Sequence, residues 1–390
     1  MTKLLIDRRL YVVFGITLIA VMGVASLSPA FPKIAKSLGL NETQVGLLIS
    51  IFTLPGIFLS PVAGILADRF GRKIVLVPSL FLFAISGFAC FFTRDFHVIL
   101  ILRFFQGVGA ASIGSLNITL VGDFFKGKDR PAAMGYNASV LSLSTAFYPL
   151  IGGLLAGFAW YYPFILPLLS IPIGLFVIFG IDEPEFNRSE NFYAYLKSAW
   201  TSIIRKEVIS IFILSILTFI ILYGAFLTYI PFLLNQKFGL SAPKIGAFLS
   251  LSSFSTAIMA TQVGKLTVRF GSVNMLKAAF LLYFTVSVLI PNIDNLYLLI
   301  FPVLLFGVAQ ALNIPSLQTL LTNLAPDEQR AVFMSTNGMV LRIGQTLGPP
   351  IIAIGYAVLK IEGVYYLSAI VALSGLAIIF SLLGNIKKSL

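Results

Sequence analysis

Cysteine, histidine and charge are all scarce in this chain. Cys90 is the lone cysteine and stands in an apolar run, so the chain can build neither a disulfide framework nor a cysteine-based metal site. His97 is the lone histidine, in the short polar turn Thr93-Arg94-Asp95-Phe96-His97 between two apolar runs. Acid–base chemistry needs positioned partners, which such a turn does not supply, so no catalytic role and no metal or other cofactor is expected. Charged residues make up 11% of the 390, less than half the roughly 25% of an ordinary globular domain. With 58% hydrophobic residues and a mean hydropathy of +0.97, the chain is not the two or three soluble domains that its length alone suggests. No G-x-x-x-x-G-K-[ST] loop occurs, which speaks against ATP hydrolysis. The net charge of +12 would point to nucleic acid in a soluble protein, but here the apolar majority assigns it to membrane topology, and no nucleic-acid partner is expected.

What is present is a series of apolar runs of the length a bilayer requires, about 20 residues each. Twelve occur, near 10–32, 43–66, 74–92, 98–122, 131–156, 161–181, 208–233, 244–266, 273–290, 296–322, 331–356 and 363–384. Prolines inside them predict kinks rather than boundaries, because neighbouring helices re-satisfy the freed backbone groups. The first run lacks a small-residue cleavage site and reads as a permanent helix rather than a signal peptide. With the N-terminus placed inside, 19 Lys and Arg fall in loops on the inner side and 6 on the other, so both termini are expected in the cytoplasm. The connection 183–207 carries Phe192-Tyr193-Ala194-Tyr195-Leu196-Lys197-Ser198-Ala199-Trp200, whose spacing fits either an interfacial helix or a plain tether.

The two halves superpose without gaps when 200 is added. Gly39-Leu40 meets Gly239-Leu240, and Gly64-x-Leu66-x-x-Arg69-Phe70-Gly71 meets Gly264-x-Leu266-x-x-Arg269-Phe270-Gly271. Gly107-Val108 meets Gly307-Val308, Asn137 meets Asn337 and Pro149 meets Pro349. A duplicated six-helix unit follows, with boundaries at 1–182 and 208–390. Because six is even, the copies are parallel repeats, an arrangement that places a substrate site near the midplane and lets one half rock against the other. An all-α membrane protein of twelve helices in two parallel repeats, working as a transporter, is therefore the expectation.

Three motifs carry a resemblance. Gly64-Ile65-Leu66-Ala67-Asp68-Arg69-Phe70-Gly71-Arg72-Lys73, between the second and third spans, resembles the signature loop of the major facilitator superfamily. Its physics is partly readable: Gly64 allows close helix approach, Gly71 permits a tight turn at positive φ, and Asp68 can latch onto an arginine or a helix N-terminus. The charges Arg69, Arg72 and Lys73 also suit simple topology anchoring. Arg103-Phe104-Phe105-Gln106-Gly107 resembles the superfamily's fourth-helix motif, in which the resemblance implies a role for Arg103 in proton transfer or substrate positioning; snorkelling to an interface is the other reading. Pro149, Gly152 and Gly153 match part of the antiporter motif, with Ser144 and Tyr148 in place of two glycines, and Gly344-Gln345-Thr346-Leu347-Gly348-Pro349 supplies a fuller version in span 11. Gating and helix packing both use such glycines. The chain is most similar to the 12-helix drug:proton antiporters, which implies proton-coupled efflux of small amphipathic compounds from the cytoplasmic membrane of a prokaryote.

The charge inside the spans is unusual. None of the 15 acids lies near the middle of a run; Asp123 ends span 4, where it can pair with the Arg72 or Arg130 cluster as a gate residue. Span 1 offers Thr17, Ser26 and Ser28 where many proton-coupled relatives keep a carboxylate. Arg342, about eleven residues into span 11, is expected near the midplane facing a polar cavity or held by fixed contacts across the seam. Further cavity candidates are Asn117, Tyr136, Asn137, Tyr223, Tyr229, Gln262, Asn313, Gln318, Asn337 and Gln345. Carriage of organic anions, sugars or lipid-like molecules, with Arg342 reading a negative group, is the alternative function. Nothing in the sequence calls for an oligomer: the two fused halves make a monomer sufficient, with the lipid bilayer, a small-molecule substrate and protons as partners.

Overall fold

The computed structural model describes residues 7–127, 129–180, 204–326 and 330–383. The connection 183–207 therefore lies almost wholly outside the described residues. The described chain is helical throughout. In order, the elements are α1 (Arg8–Ala25), α2 (Phe31–Leu38), α3 (Glu42–Phe70), α4 (Arg72–Ala89), α5 (Phe96–Phe124), α6 (Asp129–Phe158), α7 (Ser170–Gly180), α8 (Lys206–Phe219), α9 (Ile230–Phe238), α10 (Ala242–Phe270), α11 (Ser272–Leu289), α12 (Leu296–Leu324) and α13 (Arg330–Ile378). Short 3₁₀ pieces join α1 to α2 and lead into α7, and a π-helix, Ile220–Tyr229, joins α8 to α9.

Ten stretches are long and apolar enough to cross a membrane. The last of them, Val332–Leu383, is two spans: Leu359 (φ −126°, ψ 26°) and Lys360 (φ 52°, ψ −136°) break α13. The break is a tight hairpin. A Cβ on Gly355 would run into the Gly363 carbonyl and one on Gly363 into that of Gly355, so only glycines let the two strokes meet this closely. The remaining span is α10, whose Ser250, Ser252, Ser253, Ser255, Thr256 and Gln262 dilute its apolar content. Counted with that split and with α10, twelve spans lie among the described residues, the number the sequence predicts.

Contacts divide the chain into two compact units, Met1–Ser189 with Ser241–Gly246, and Glu190–Leu240 with Ala247–Leu390. The offset of 200 extends to helix ends. α3, α4 and α5 span 42–70, 72–89 and 96–124; α10, α11 and α12 span 242–270, 272–289 and 296–324. Local chemistry repeats as well. Gly39 and Gly239 both end a helix in the left-handed region at φ 65°. Asp95 and Asn295 both cap, accepting from the backbone N–H groups two and three residues on.

Inside a membrane the lipid tails are as apolar as leucine, so helix pairs are held by close packing rather than by escape from water. The first unit does this at Gly107, where α5 lies so near α3 that an added Cβ would overlap the Phe52 carbonyl. The second unit repeats the joint at Gly307 against the Ser252 carbonyl, the position 200 residues after Phe52. Val263, Met275, Ala279, Ala311 and Leu312 fill the space between α10, α11 and α12.

Candidate functional site

In the first unit, three predicted or weighed polar residues come together. Thr17 on α1, Asn117 on α5 and Asn137 on α6 form a closed ring of hydrogen bonds. Asn117 Nδ2 donates to Thr17 Oγ1 at 2.7 Å, and Asn137 Nδ2 donates to Asn117 Oδ1 at 2.8 Å. The Thr17 hydroxyl faces both Asn137 Oδ1 and the Val13 carbonyl, the latter at 2.9 Å. A buried amide left unpaired in hydrocarbon is costly, and here each amide finds its partner on another helix, tying three spans without any charge.

Arg103 on α5 is sealed, with 1% of its surface exposed, so it does not snorkel. Its Nε donates to the Leu48 carbonyl at 3.2 Å, its Nη1 to Gln106 Oε1 at 2.7 Å, and the guanidinium lies 4.1 Å over the Phe52 ring. Thus a carbonyl, an amide and an aromatic face replace a carboxylate; cation–π attraction is strongest where water is excluded. Arg103 Nη2 and Gln106 Nε2 have no hydrogen-bond partner.

The signature loop shows a clasp. Gly71 has φ 105°, as expected of a residue that must turn tightly, and Gly271 repeats it at 81°. Arg72, largely buried, pairs with Asp123 at the end of α5 (Nε–Oδ2 2.9 Å) and also donates to the Ala67 carbonyl at 2.8 Å. Lys73 donates to the Ile178 carbonyl on α7 at 3.0 Å. The loop thereby joins the ends of α3, α4, α5 and α7. Arg69 lies 5.4 Å over Phe70, a surface pairing that Arg269 and Phe270 repeat at 5.2 Å. The Asp68 side chain lies outside the described set. Gly64 departs from its reading: a Cβ there would meet nothing within 4 Å, so the close approach expected of it is not made in this structure. Pro149 is buried within α6, and Gly152, three residues on, meets the carbonyl of Ser26, the residue that caps α1, without room for a Cβ.

The second unit distributes its polar groups differently. Thr218 donates to Asn313 Oδ1 at 3.1 Å and Ser215 to Asn337 Oδ1 at 3.4 Å, joining α8 to α12 and to α13. Asn313 Nδ2 and both polar atoms of the Gln310 amide are buried without a partner. Arg342 donates to Gln345 Oε1 at 3.0 Å and remains partly accessible. Gly344 and Gly348 bring α13 against span 7: a Cβ on Gly344 would stand 2.7 Å from the Ile216 carbonyl, and one on Gly348 3.0 Å from the Gly224 nitrogen. Pro349 follows directly on Gly348. Tyr229 is fully buried, stacked on Tyr356 with centroids 5.4 Å apart, so it presents no surface to a cavity. Gln262 lies exposed on α10, 3.3 Å from the Thr261 hydroxyl that accepts its N–H.

Sequence reasoning named most of these residues but not their grouping. Thr218, Ser215 and Gln310 were missed; a hydroxyl one turn from an apolar stretch gives no signal of its own, because it usually bonds back to its own helix, as Thr218 also does to the Leu214 carbonyl. Among the described residues no three acids, histidines or cysteines gather into a metal site.

Known proteins resemble this chain over nearly its whole length. It is 25% identical to the bacillibactin exporter of Bacillus subtilis (strain 168) over 89% of each chain. It is 27% identical to multidrug resistance protein 1 of the same organism over 85% of each chain. Against the quinolone resistance protein NorA of Staphylococcus aureus (strain MRSA252) the identity is 24% over 96% of each. Among solved structures, a bacterial homolog of the human lysosomal transporter Spinster, inward-facing and occupied, shares the fold with a TM-score of 0.77 over 95% of both chains at 17% identity. The nucleoside transporter NupG shares it with a TM-score of 0.76 over 98% of this chain and 99% of that one, at 16% identity. The family model of the Major Facilitator Superfamily matches residues 13–291 and 233–389. With its duplicated six-span units, its signature loop and these matches, the chain belongs to the Major Facilitator Superfamily and is an integral membrane transporter, not an enzyme.

Proposed function

We propose that this transporter exports small amphipathic compounds from a prokaryotic cell by alternating access, drawing on the proton gradient, as a monomer with both termini in the cytoplasm. The observation that carries the reading is similarity over 85–96% of both chains to relatives named as exporters and resistance proteins. The excess of Lys and Arg on one set of loops supports the orientation. Reconstitution into proteoliposomes tests it: an imposed pH gradient and membrane potential are expected to drive accumulation of a cationic or neutral amphipathic dye. Transport indifferent to both gradients removes proton coupling. No transport of any member of a cationic, neutral and anionic panel removes the export reading.

A second reading, carriage of organic anions, sugars or lipid-like molecules, is favoured by one residue. Arg342 keeps accessible surface and, among the described residues, has no carboxylate within ion-pair distance. A guanidinium at that depth is costly without an anion or water beside it.

A further inference from the structure

Deepening the anion reading, and resting on it, we propose that Arg342, Gln345 and Tyr223 form a subsite in the second unit that holds an oxyanion attached to an aromatic ring, an aryl carboxylate being the simplest case.

Three features build it. The first is orientation. Gln345 lies three residues after Arg342, so the two share a helix face, and its Oε1 holds Arg342 Nη1 at 3.0 Å. One edge of the guanidinium fork is thereby fixed, leaving further N–H donors for a planar oxyanion, which such a fork grips through two parallel hydrogen bonds.

The second is the approach of Tyr223. Gly344 and Gly348 flank Gln345 on α13, and the missing Cβ atoms let the backbone close on Ile216, Phe219, Ile220 and Gly224. Phe219, whose ring pairs with that of Tyr223, thereby lies against Gly344, two residues along from Arg342. Tyr223 stands in the π-helix Ile220–Tyr229, where the Thr228 hydroxyl donates to the Tyr223 carbonyl five residues back at 2.7 Å. Pro231 follows: its ring has no N–H to give and crowds the carbonyl four residues before it, which a widened turn relieves. The π register sets where Tyr223 falls on the helix, as such turns often do at functional positions.

The third is the aromatic wall. The Phe219 and Tyr223 rings lie 5.8 Å apart, tilted by 33°, an aromatic pair one helical turn long beside the charge. A flat ring lying along this pair places its oxyanion at Arg342 and the Tyr223 hydroxyl. The small-residue motif of span 11 thus assembles a reader in addition to packing two helices. Arg103 offers no equivalent: it has the same i, i+3 glutamine, but 1% of its surface is exposed and its face is covered by Phe52.

Binding without any gradient separates the subsite from transport. The full-length protein in lipid nanodiscs is titrated by microscale thermophoresis with 2-naphthoate, the near-isosteric 2-naphthamide and cyclohexanecarboxylate. 2-Naphthoate is expected to bind at least 10-fold tighter than 2-naphthamide, and tighter than cyclohexanecarboxylate by a smaller factor. Arg342→Gln is expected to erase the naphthoate–naphthamide difference, Arg342→Lys to keep part of it, and Tyr223→Phe to reduce it about 3-fold. A melting temperature in nanodiscs equal to that of the wild type shows that a variant is folded. A wild-type preference that survives Arg342→Gln overturns the subsite and leaves the anion reading standing. Equal binding of acid and amide, or no binding of any probe, overturns both. Equal binding of the two acids removes the aromatic wall and with it the proposal as stated.

Discussion

Gly107 lies against the Phe52 carbonyl in the first half of the molecule, and 200 residues later Gly307 lies against the Ser252 carbonyl. Gly71 and Gly271 turn at positive φ, and Asp95 and Asn295 cap the following helices. Most polar side chains inside the spans do not follow that rule. The first half closes Thr17, Asn117 and Asn137 into a ring, clasps Arg72 to Asp123 and seals Arg103. At the positions 200 residues on from Arg72, Arg103 and Asp123 stand Ser272, Val303 and Asn323, and the arginine of the second half, Arg342, sits where the first half has Ser142. Backbone joints are therefore the inherited scaffold. Their geometry tolerates no side chain, whereas polar contents can change wherever a new partner is found, and the two units have come to hold different chemistry: a closed ring of paired amides and a sealed arginine in one, orphaned amides beside an accessible charge in the other.

The largest expected effects fall on the shared joints. Gly107→Ala and Gly307→Ala each force a Cβ into a backbone oxygen, which no rotamer change relieves. Each is expected to destabilise by about 3 kcal/mol, the upper range of overpacking, read as a fall in the helical melting temperature in detergent. Comparable losses in both keep the scaffold symmetric; a large loss at one alone breaks the comparison. Gly64→Ala and Gly264→Ala are the controls, since both positions face open space and alanine raises helix propensity. Their melting temperatures should hold or rise. A fall in transport without a fall in melting would show that the close approach predicted for Gly64 belongs to another state of the cycle.

Next comes the clasp, which among the described residues only the first half has. Arg72→Ala removes the bond to Asp123 and the one to the Ala67 carbonyl, while Asp123 keeps access to water. A loss of about 2 kcal/mol is expected, typical of hydrogen bonds to charged groups. Ser272→Ala in the second half should change stability by less than about 0.5 kcal/mol. Equal effects would mean that the second half holds its helix ends by a means not visible in its side chains.

The polar interiors give a smaller contrast. Asn117→Ala leaves Thr17 and Asn137 each short of a partner and is expected to cost about 1–2 kcal/mol. Asn313→Leu removes one bond from Thr218 but also an amide N–H that is buried unpaired, so its net cost should be under about 1 kcal/mol. Thermal melts of the two variants side by side decide it; a costlier Asn313→Leu would overturn the contrast between the paired asparagines of the first half and the half-paired one of the second.

Much of this comparison was legible in the sequence, for a physical reason. Span length, duplication and the glycines at turns are properties of backbone and period, which sequence shows directly; helices 42–70 and 242–270 end where the offset says they must. The pairing of Arg72 with Asp123 was also within reach, because opposite charges at neighbouring helix ends have few other partners. What the sequence did not show was which polar residues meet. Asn117 and Asn137 are both asparagines in apolar runs, and so is Asn313, yet two are satisfied and one is not. That difference depends on helix rotation and on where a glycine lets two backbones close, as at Gly344 and Gly348. Tyr229 illustrates the same limit: in a run of apolar residues its hydroxyl suggests a cavity, whereas stacking on Tyr356 buries it.

The smallest expected effect lies at the first helix of each half. Asp7 caps α1, accepting from the Arg9 backbone N–H at 2.9 Å, and its carboxyl meets the Arg9 guanidinium at 2.7 Å. The Arg9 side chain, more than the backbone bond, holds the Asp7 carboxyl below its usual value of 3.8. A carboxyl whose pKa is lowered on folding contributes stability above its unfolded pKa and loses it as the pH falls through the folded one. Melting temperature of the wild type should therefore decline between about pH 4 and the lowered value by slightly more than that of Asp7→Asn, which caps without titrating. The second half starts α8 at Arg205, whose side chain makes no capping bond. Arg205→Ser supplies one and is expected to add about 0.5–1 kcal/mol near neutral pH with no change in the acid slope. No gain in Arg205→Ser together with no loss in Asp7→Ala would mean that the ends of α1 and α8 are held by packing alone, and the contrast between a capped and an uncapped first helix would lose its energetic content.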